Sequence, residues 1–219
     1  MTPYLQQIFK AYQSPIAPKV ATSIVSVMNV FATITFLCLV RFVGKRRMYL
    51  TVLSGVCISS FVISVYGIIL LPSDYNSFNK ENNVPELNGS WLVYIPTFFL
   101  IIWNYCSYCG ILMMPWMFLS ELFPFKSRGA AAGLSAAINY IMGFVTIKTY
   151  INLEKALSMQ GIAMFYCVIA TLGLILMYNI MPETENRSLE AIELHFSDSS
   201  KKITDWYIPH EDEVRKSNK

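Results

Sequence analysis

Long apolar runs alternate with short polar breaks along this chain. Five runs, at roughly 21–40, 48–71, 92–119, 129–150 and 161–181, each supply about the number of apolar residues needed to cross ~30 Å of hydrocarbon. The pattern predicts an all-α membrane protein with five transmembrane helices. Composition agrees: 54% of the 219 residues are hydrophobic and 14% are charged, which is more apolar than an ordinary soluble domain. The opening stretch, MTPYLQQIFKAYQSP, has no apolar core of a cleaved signal peptide. Residues 1–20 hold prolines and polar groups and read as a connection outside the membrane. Residues 196–219, with Trp206, Tyr207 and mixed charges, read as a solvated tail.

Charge then orients the spans. Arg41, Lys45, Arg46 and Arg47 lie between the first two runs, and Lys126 and Arg128 between the third and fourth. The alternate loops carry Asp74, Lys80, Glu81 and Glu86, then Glu154 and Lys155. The positive-inside rule puts the first set, and with it the carboxy-terminal tail, in the cytosol. An external amino terminus is expected of a piece from the middle of a longer protein. The five cysteines, Cys38, Cys57, Cys106, Cys109 and Cys167, all fall in apolar runs and read as small core residues. Neither histidine, His195 or His210, lies in a span.

Polar groups inside the spans are costly unless they face other helices or a water-filled path. Asn29 and Thr33 are four apart, on one helix face; they read either as path-lining groups or as interhelical hydrogen-bonding groups. Pro96 and Pro115 flank the long third run. Pro115 is the candidate hinge, because proline removes a backbone donor and kinks a membrane helix. Trp116 beside it reads either as a stacking surface for a ligand ring or as an interfacial anchor. In SELFPFKSRG, Glu121 and Arg128 can clamp two helix ends, as a switching gate or as static end charges. RGAAAGLSAA opens the fourth run with small residues that permit close helix approach. Asn139 lies near mid-membrane in that run, and Lys148 near its outer end. Asn88-Gly89-Ser90 is a glycosylation sequon in the outward loop 72–91; Asn186-Arg187-Ser188 also fits but is assigned to the cytosol. After Met181, Pro182 stops the last span, Glu183 and Glu185 follow at the boundary, and Ser188 and Glu190 start a further helix.

Several of these strings, in order, resemble the sugar porters of the major facilitator superfamily. PETENRSLEAIE (182–193) is similar to the signature that closes their last span, and PWMFLSELFPFKSRG (115–129) to the end of their tenth. MNVFAT (28–33) resembles their eighth span and GKRR (44–47) the loop after it, while VTIKTY is most like insect facilitated trehalose transporter-like members. The resemblance covers residues 4–195 and implies five helices of a carboxy-terminal six-helix bundle. It implies that Trp116 and Asn139 help line a sugar site, with Asn29 and Thr33 facing the bundle interior. It also implies that Glu121, Arg128, Arg46, Glu183 and Glu185 belong to a cytosolic gating charge network.

Departures accompany the resemblance. Arg41 stands where the family has an acid, Leu112-Met113-Met114 replaces the approach to the tenth-span kink, and Asn186 replaces a glycine. The seventh-span stretch richest in sugar ligands has no counterpart. The resemblance implies transport of a hexose or a trehalose-like disaccharide by alternating access at the plasma membrane. The missing amino-terminal half and the lipid bilayer are the implied partners. Five spans are less than one six-helix half, so the chain alone is not expected to transport. A truncated or diverged non-transporting membrane protein is the other reading. An enzyme is not expected: no nucleophile–base pair, metal-ligand cluster or phosphate-binding loop stands out, and neither a cofactor, a metal nor a nucleic-acid partner is indicated.

Overall fold

A computed structural model describes residues 4–12, 14–70, 93–123, 127–185 and 192. All regular structure among these residues is helical. The elements are α1 (Leu5–Ala11), α2 (Pro18–Val43), α3 (Lys45–Leu70), α4 (Tyr94–Cys106), a π-helical turn (Ser107–Ile111), α5 (Met114–Leu122) and α6 (Arg128–Ile180).

Residues 1–20 are not the plain connection that their prolines and polar groups suggest. Leu5, Ile8, Phe9, Ala11 and Tyr12 put the apolar face of α1 into the core, together with Ala21 and Val25 of α2 and Ile63 and Tyr66 of α3. The i, i+3, i+4, i+7 spacing of Leu5, Ile8, Phe9 and Tyr12 is one stripe of an amphipathic helix. Pro18 then sits at the start of α2, where a missing N–H costs nothing.

The chain turns from α2 into α3 at Gly44. Among the described residues, four helices are long and apolar enough to cross a membrane: α2, α3, the Tyr94–Leu119 unit and α6. The first three correspond to the expected spans. At 53 residues, α6 holds the last two. A straight helix of that length would run ~80 Å, more than twice the thickness of bilayer hydrocarbon. It is broken at Ser158, whose φ of 58° and ψ of 172° are non-helical, which divides it into stretches 128–157 and 159–180.

The break between the fourth and fifth expected spans thus falls at Ser158, after the charged pair Glu154 and Lys155. Glu154 lies within the helix and is fully buried at 0% exposure, near Tyr12 and Tyr150, while Lys155 is exposed. Tyr4, just before α1, stacks on Tyr150 in the middle of α6 with ring centroids 4.5 Å apart.

Helix α3 is the centre of the arrangement, packing against α2, α4 and α6. Small residues let it approach closely. A Cβ on Gly55 would meet Cys106 Sγ at 3.0 Å, and one on Gly110 would meet Val52 Cγ2 at 3.3 Å. Hydroxyls in the apolar helices mostly donate to the carbonyl one turn back, as Thr33 does to Asn29 at 3.0 Å and Ser59 to Gly55 at 2.8 Å. Tyr105 instead crosses to α2, donating to Thr35 Oγ1 at 2.9 Å.

A charged latch and a mid-helix cavity

The third long unit is not one regular helix. Pro96 lies in the first turn of α4, where no intrahelical N–H bond is needed, and it introduces no break there. The break comes before Pro115. Leu112 N–H bonds to Ser107 O at 3.1 Å and Met113 N–H to Gly110 O at 3.2 Å, and α5 restarts at Met114 with Pro115 in its first turn. Pro115 cannot donate to Ile111, so the π-helical turn and the proline together interrupt the ladder at one place.

Just beyond this break is a cavity of about 160 Å3 between α5 and α6. Pro115 and Trp116 line one wall, Ser135 and Asn139 the other, with Leu112 and Leu119 between. Trp116 and Asn139 are both exposed. The Asn139 amide makes no hydrogen bond within the described residues. It is free to offer two donors and an acceptor to a ligand, beside an indole face suited to stacking. Of the candidate substrate residues the structure brings together Trp116 and Asn139, with Pro115. Asn29 and Thr33 do not line this cavity. Thr33 spends its proton on its own helix, and Asn29 Oδ1 is buried with no hydrogen-bond partner among the described residues. Asn88 lies outside the described residues.

The second feature is a charge cluster where α2 meets α3. Lys45 Nζ lies 2.6 Å from Glu121 Oε1 and 3.0 Å from Glu185 Oε2, with side-chain exposures of 8%, 19% and 16% for Lys45, Glu121 and Glu185. Thr184 donates to the other oxygen of Glu121 at 2.8 Å. Glu183 Oε1 accepts from the backbone N–H of Lys45 at 3.1 Å and of Glu185 at 3.2 Å, a carboxylate at the positive end of α3. Gly44 makes this possible twice over. Its φ is 88°, and a Cβ there would stand 2.8 Å from Glu183 Oε2. One lysine thus ties α3, α5 and the segment after α6 into a latch.

This corrects the expected pairing. Glu121 is held by Lys45 and Thr184, not by Arg128, whose Nε donates to Phe123 O at 3.4 Å. Arg46 turns to the end of α6, donating to Tyr178 O at 2.7 Å with its guanidinium over the Tyr178 ring. Arg41 is exposed on the last turn of α2, where the helix dipole favours a cation. The reading by sequence overlooked Lys45 and Thr184. The sequence does carry a signal for Lys45: the apolar residues Met48, Tyr49, Val52, Leu53 and Val56 recur at helical spacing, and one turn back that face falls on position 45, not 46 or 47.

Apolar helices of membrane-spanning length, one of them broken before Pro115, are those of a multi-span membrane protein. The profile of the family described as Sugar (and other) transporter matches residues 2–196. The chain belongs to this family, the sugar porters of the major facilitator superfamily. It is 28% identical over 200 residues to the facilitated trehalose transporter Tret1 of Bombyx mori, covering 91% of this chain and 37% of that protein. It is 30% identical over 190 residues to Tret1 of Polypedilum vanderplanki, covering 87% of this chain and 35% of the relative. The chain thus spans little more than a third of the length of these relatives. Its fold matches the inward-open xylose transporter XylE from E. coli with a TM-score of 0.63 at 19% identity, over 87% of this chain and 41% of that one.

Proposed function

We propose that this chain forms the carboxy-terminal helices of a sugar transporter that works by alternating access, with a hexose or a trehalose-like disaccharide as substrate. The observation that carries the reading is the cavity in which Trp116 and Asn139 face each other across α5 and α6. Stacking on an indole and hydrogen bonding to an amide are the two contacts a sugar ring needs. At about 160 Å3 the cavity is smaller than the ~300–1,000 Å3 of a usual ligand pocket, so the remaining walls must come from elsewhere.

The bare first half of α6 supports the same view. Leu134, Tyr140, Met142 and Phe144 are each more than 60% exposed, and no side chain from 128 to 149 is buried. Such a helix needs a hydrocarbon or protein cover. In this reading the amino-terminal half of a longer transporter covers the face that carries Asn139, and lipid covers the rest. The Lys45 latch closes the cytosolic side of a plasma-membrane carrier and opens as the two halves rock.

Two measurements test the reading. Uptake of labelled trehalose and glucose is compared between cells expressing these 219 residues alone and cells expressing a complete transporter that carries them. The short chain is expected to stay at background, and uptake by it would refute the requirement for a second half. In the complete transporter, Asn139→Ala is expected to lower kcat/KM about tenfold, the cost of one lost hydrogen bond to a ligand group. Unchanged uptake by that variant would remove Asn139 from the site. No uptake by the complete transporter would favour a non-transporting member of the family.

A further inference from the structure

A second cavity, of about 230 Å3, lies on the other side of Pro115, and the transport reading makes no use of it. Its walls come from three elements: Tyr49 of α3, Met114 and Phe118 of α5, and Met177, Met181 and Pro182 at the end of α6. The lining is almost wholly apolar. Water gains nothing in such a space, whereas an apolar cavity of ~150 Å3 is already large enough to take up benzene. The lining also selects among apolar guests. Three methionine thioethers and two aromatic rings are the side chains that make favourable contacts with an aromatic ring. Tyr49 is 8% exposed, and its hydroxyl makes no hydrogen bond within the described residues. It stands ready to donate to a ligand acceptor.

We propose that this cavity binds a small aromatic molecule carrying one hydrogen-bond acceptor, and that its occupancy is coupled to the Trp116–Asn139 cavity through Pro115. Pro115 lines both spaces, and Trp116 is its neighbour in the chain. A ring seated against one side of the proline constrains the start of α5, and with it the indole on the other side. The same walls hold the latch. Tyr49 is one turn from Lys45, Phe118 is three residues before Glu121, and Pro182 precedes Glu183. A guest bridging the three walls therefore favours the arrangement in which Lys45 holds Glu121 and Glu185. This coupling rests on the transport reading; the binding site does not.

The probe is 4-fluoroacetophenone, titrated into the protein in lipid nanodiscs and followed by its 19F signal, with protein-free nanodiscs as the partitioning control. A saturable shift is expected in the wild type. Met177→Trp and Ile180→Phe, which enlarge two side chains of the lining, are expected to abolish it. Tyr49→Phe is expected to weaken binding about fivefold, the usual worth of one neutral hydrogen bond. Ethylbenzene, lacking the acceptor, is expected to bind with equal affinity to the wild type and to Tyr49→Phe. A linear response equal to that of the protein-free nanodiscs, or saturation that survives in both filled variants, overturns the site. In the complete transporter, the factor by which the probe changes sugar affinity must equal the factor by which sugar changes probe affinity. Intact probe binding with no effect on sugar affinity overturns the coupling, whereas intact probe binding with no sugar affinity at all refutes the transport reading instead.

Discussion

Replacing Lys45 by alanine removes the one cation that two carboxylates share. Lys45 is nearly buried, and Glu121 and Glu185 are less than one-fifth exposed, with N–O separations of 2.6 and 3.0 Å. Charges about 4 Å apart at an effective dielectric constant of ~20 attract by ~4 kcal/mol, and the desolvation of three groups offsets much of that. The larger effect is what the substitution leaves behind. Removing one partner of a buried pair costs about 3–5 kcal/mol, because the surviving charge stays desolvated and unpaired, and here two carboxylates would face each other. For a chain of this size that corresponds to a fall in Tm of roughly 10 °C. The assay is thermal unfolding of the purified protein in nanodiscs, for Lys45→Ala, Glu121→Gln and the double variant. The double variant is expected to recover 1–3 kcal/mol of the summed losses, since it also removes one of the stranded charges. A loss below about 1 kcal/mol for Lys45→Ala, in the range of exposed surface pairs, would refute the reasoning and make the latch ornamental.

Two further substitutions test the backbone. Gly44→Ala is expected to destabilise by about 1–3 kcal/mol, because a φ of 88° disfavours a side chain and the new Cβ would press on Glu183 Oε2; a Tm within 1 °C of wild type would contradict this. Ser158→Gly is expected to stabilise by about 1 kcal/mol, since a φ of 58° with ψ near 172° is a conformation that glycine alone adopts readily. Unchanged or lowered thermal stability there would mean that the serine side chain outweighs the strain.

Most of the architecture was legible before any coordinates, because its signal is additive. About twenty apolar residues in a row announce a span whatever surrounds them, and the positions of α2, α3 and the Tyr94–Leu119 unit follow from that count. The pairing of Trp116 with Asn139 was legible only through the family strings that carry them; nothing in the spacing of residues 23 apart sets one beside the other. The failures share a cause. The α1 helix is seven residues long, too short to declare itself by length, and its order comes from burial against α2 and α3. Glu154 and Lys155 look like a loop because charge is counted without regard to direction, yet one is fully buried and the other exposed.

The sequence by itself determined that this chain is built of apolar helices long enough to cross a bilayer, which breaks carry positive charge, and where proline interrupts a helix, since all three depend on residues close together along the chain. Only the tertiary structure decided which of Lys45, Arg46 and Arg47 meets Glu121, that Glu183 caps α3, and that Pro115 separates two cavities. Those outcomes turn on differences of one residue in helical phase, about 100° around the axis. Phase is set by where a helix starts and by what packs against it, and both are properties of the assembled helices.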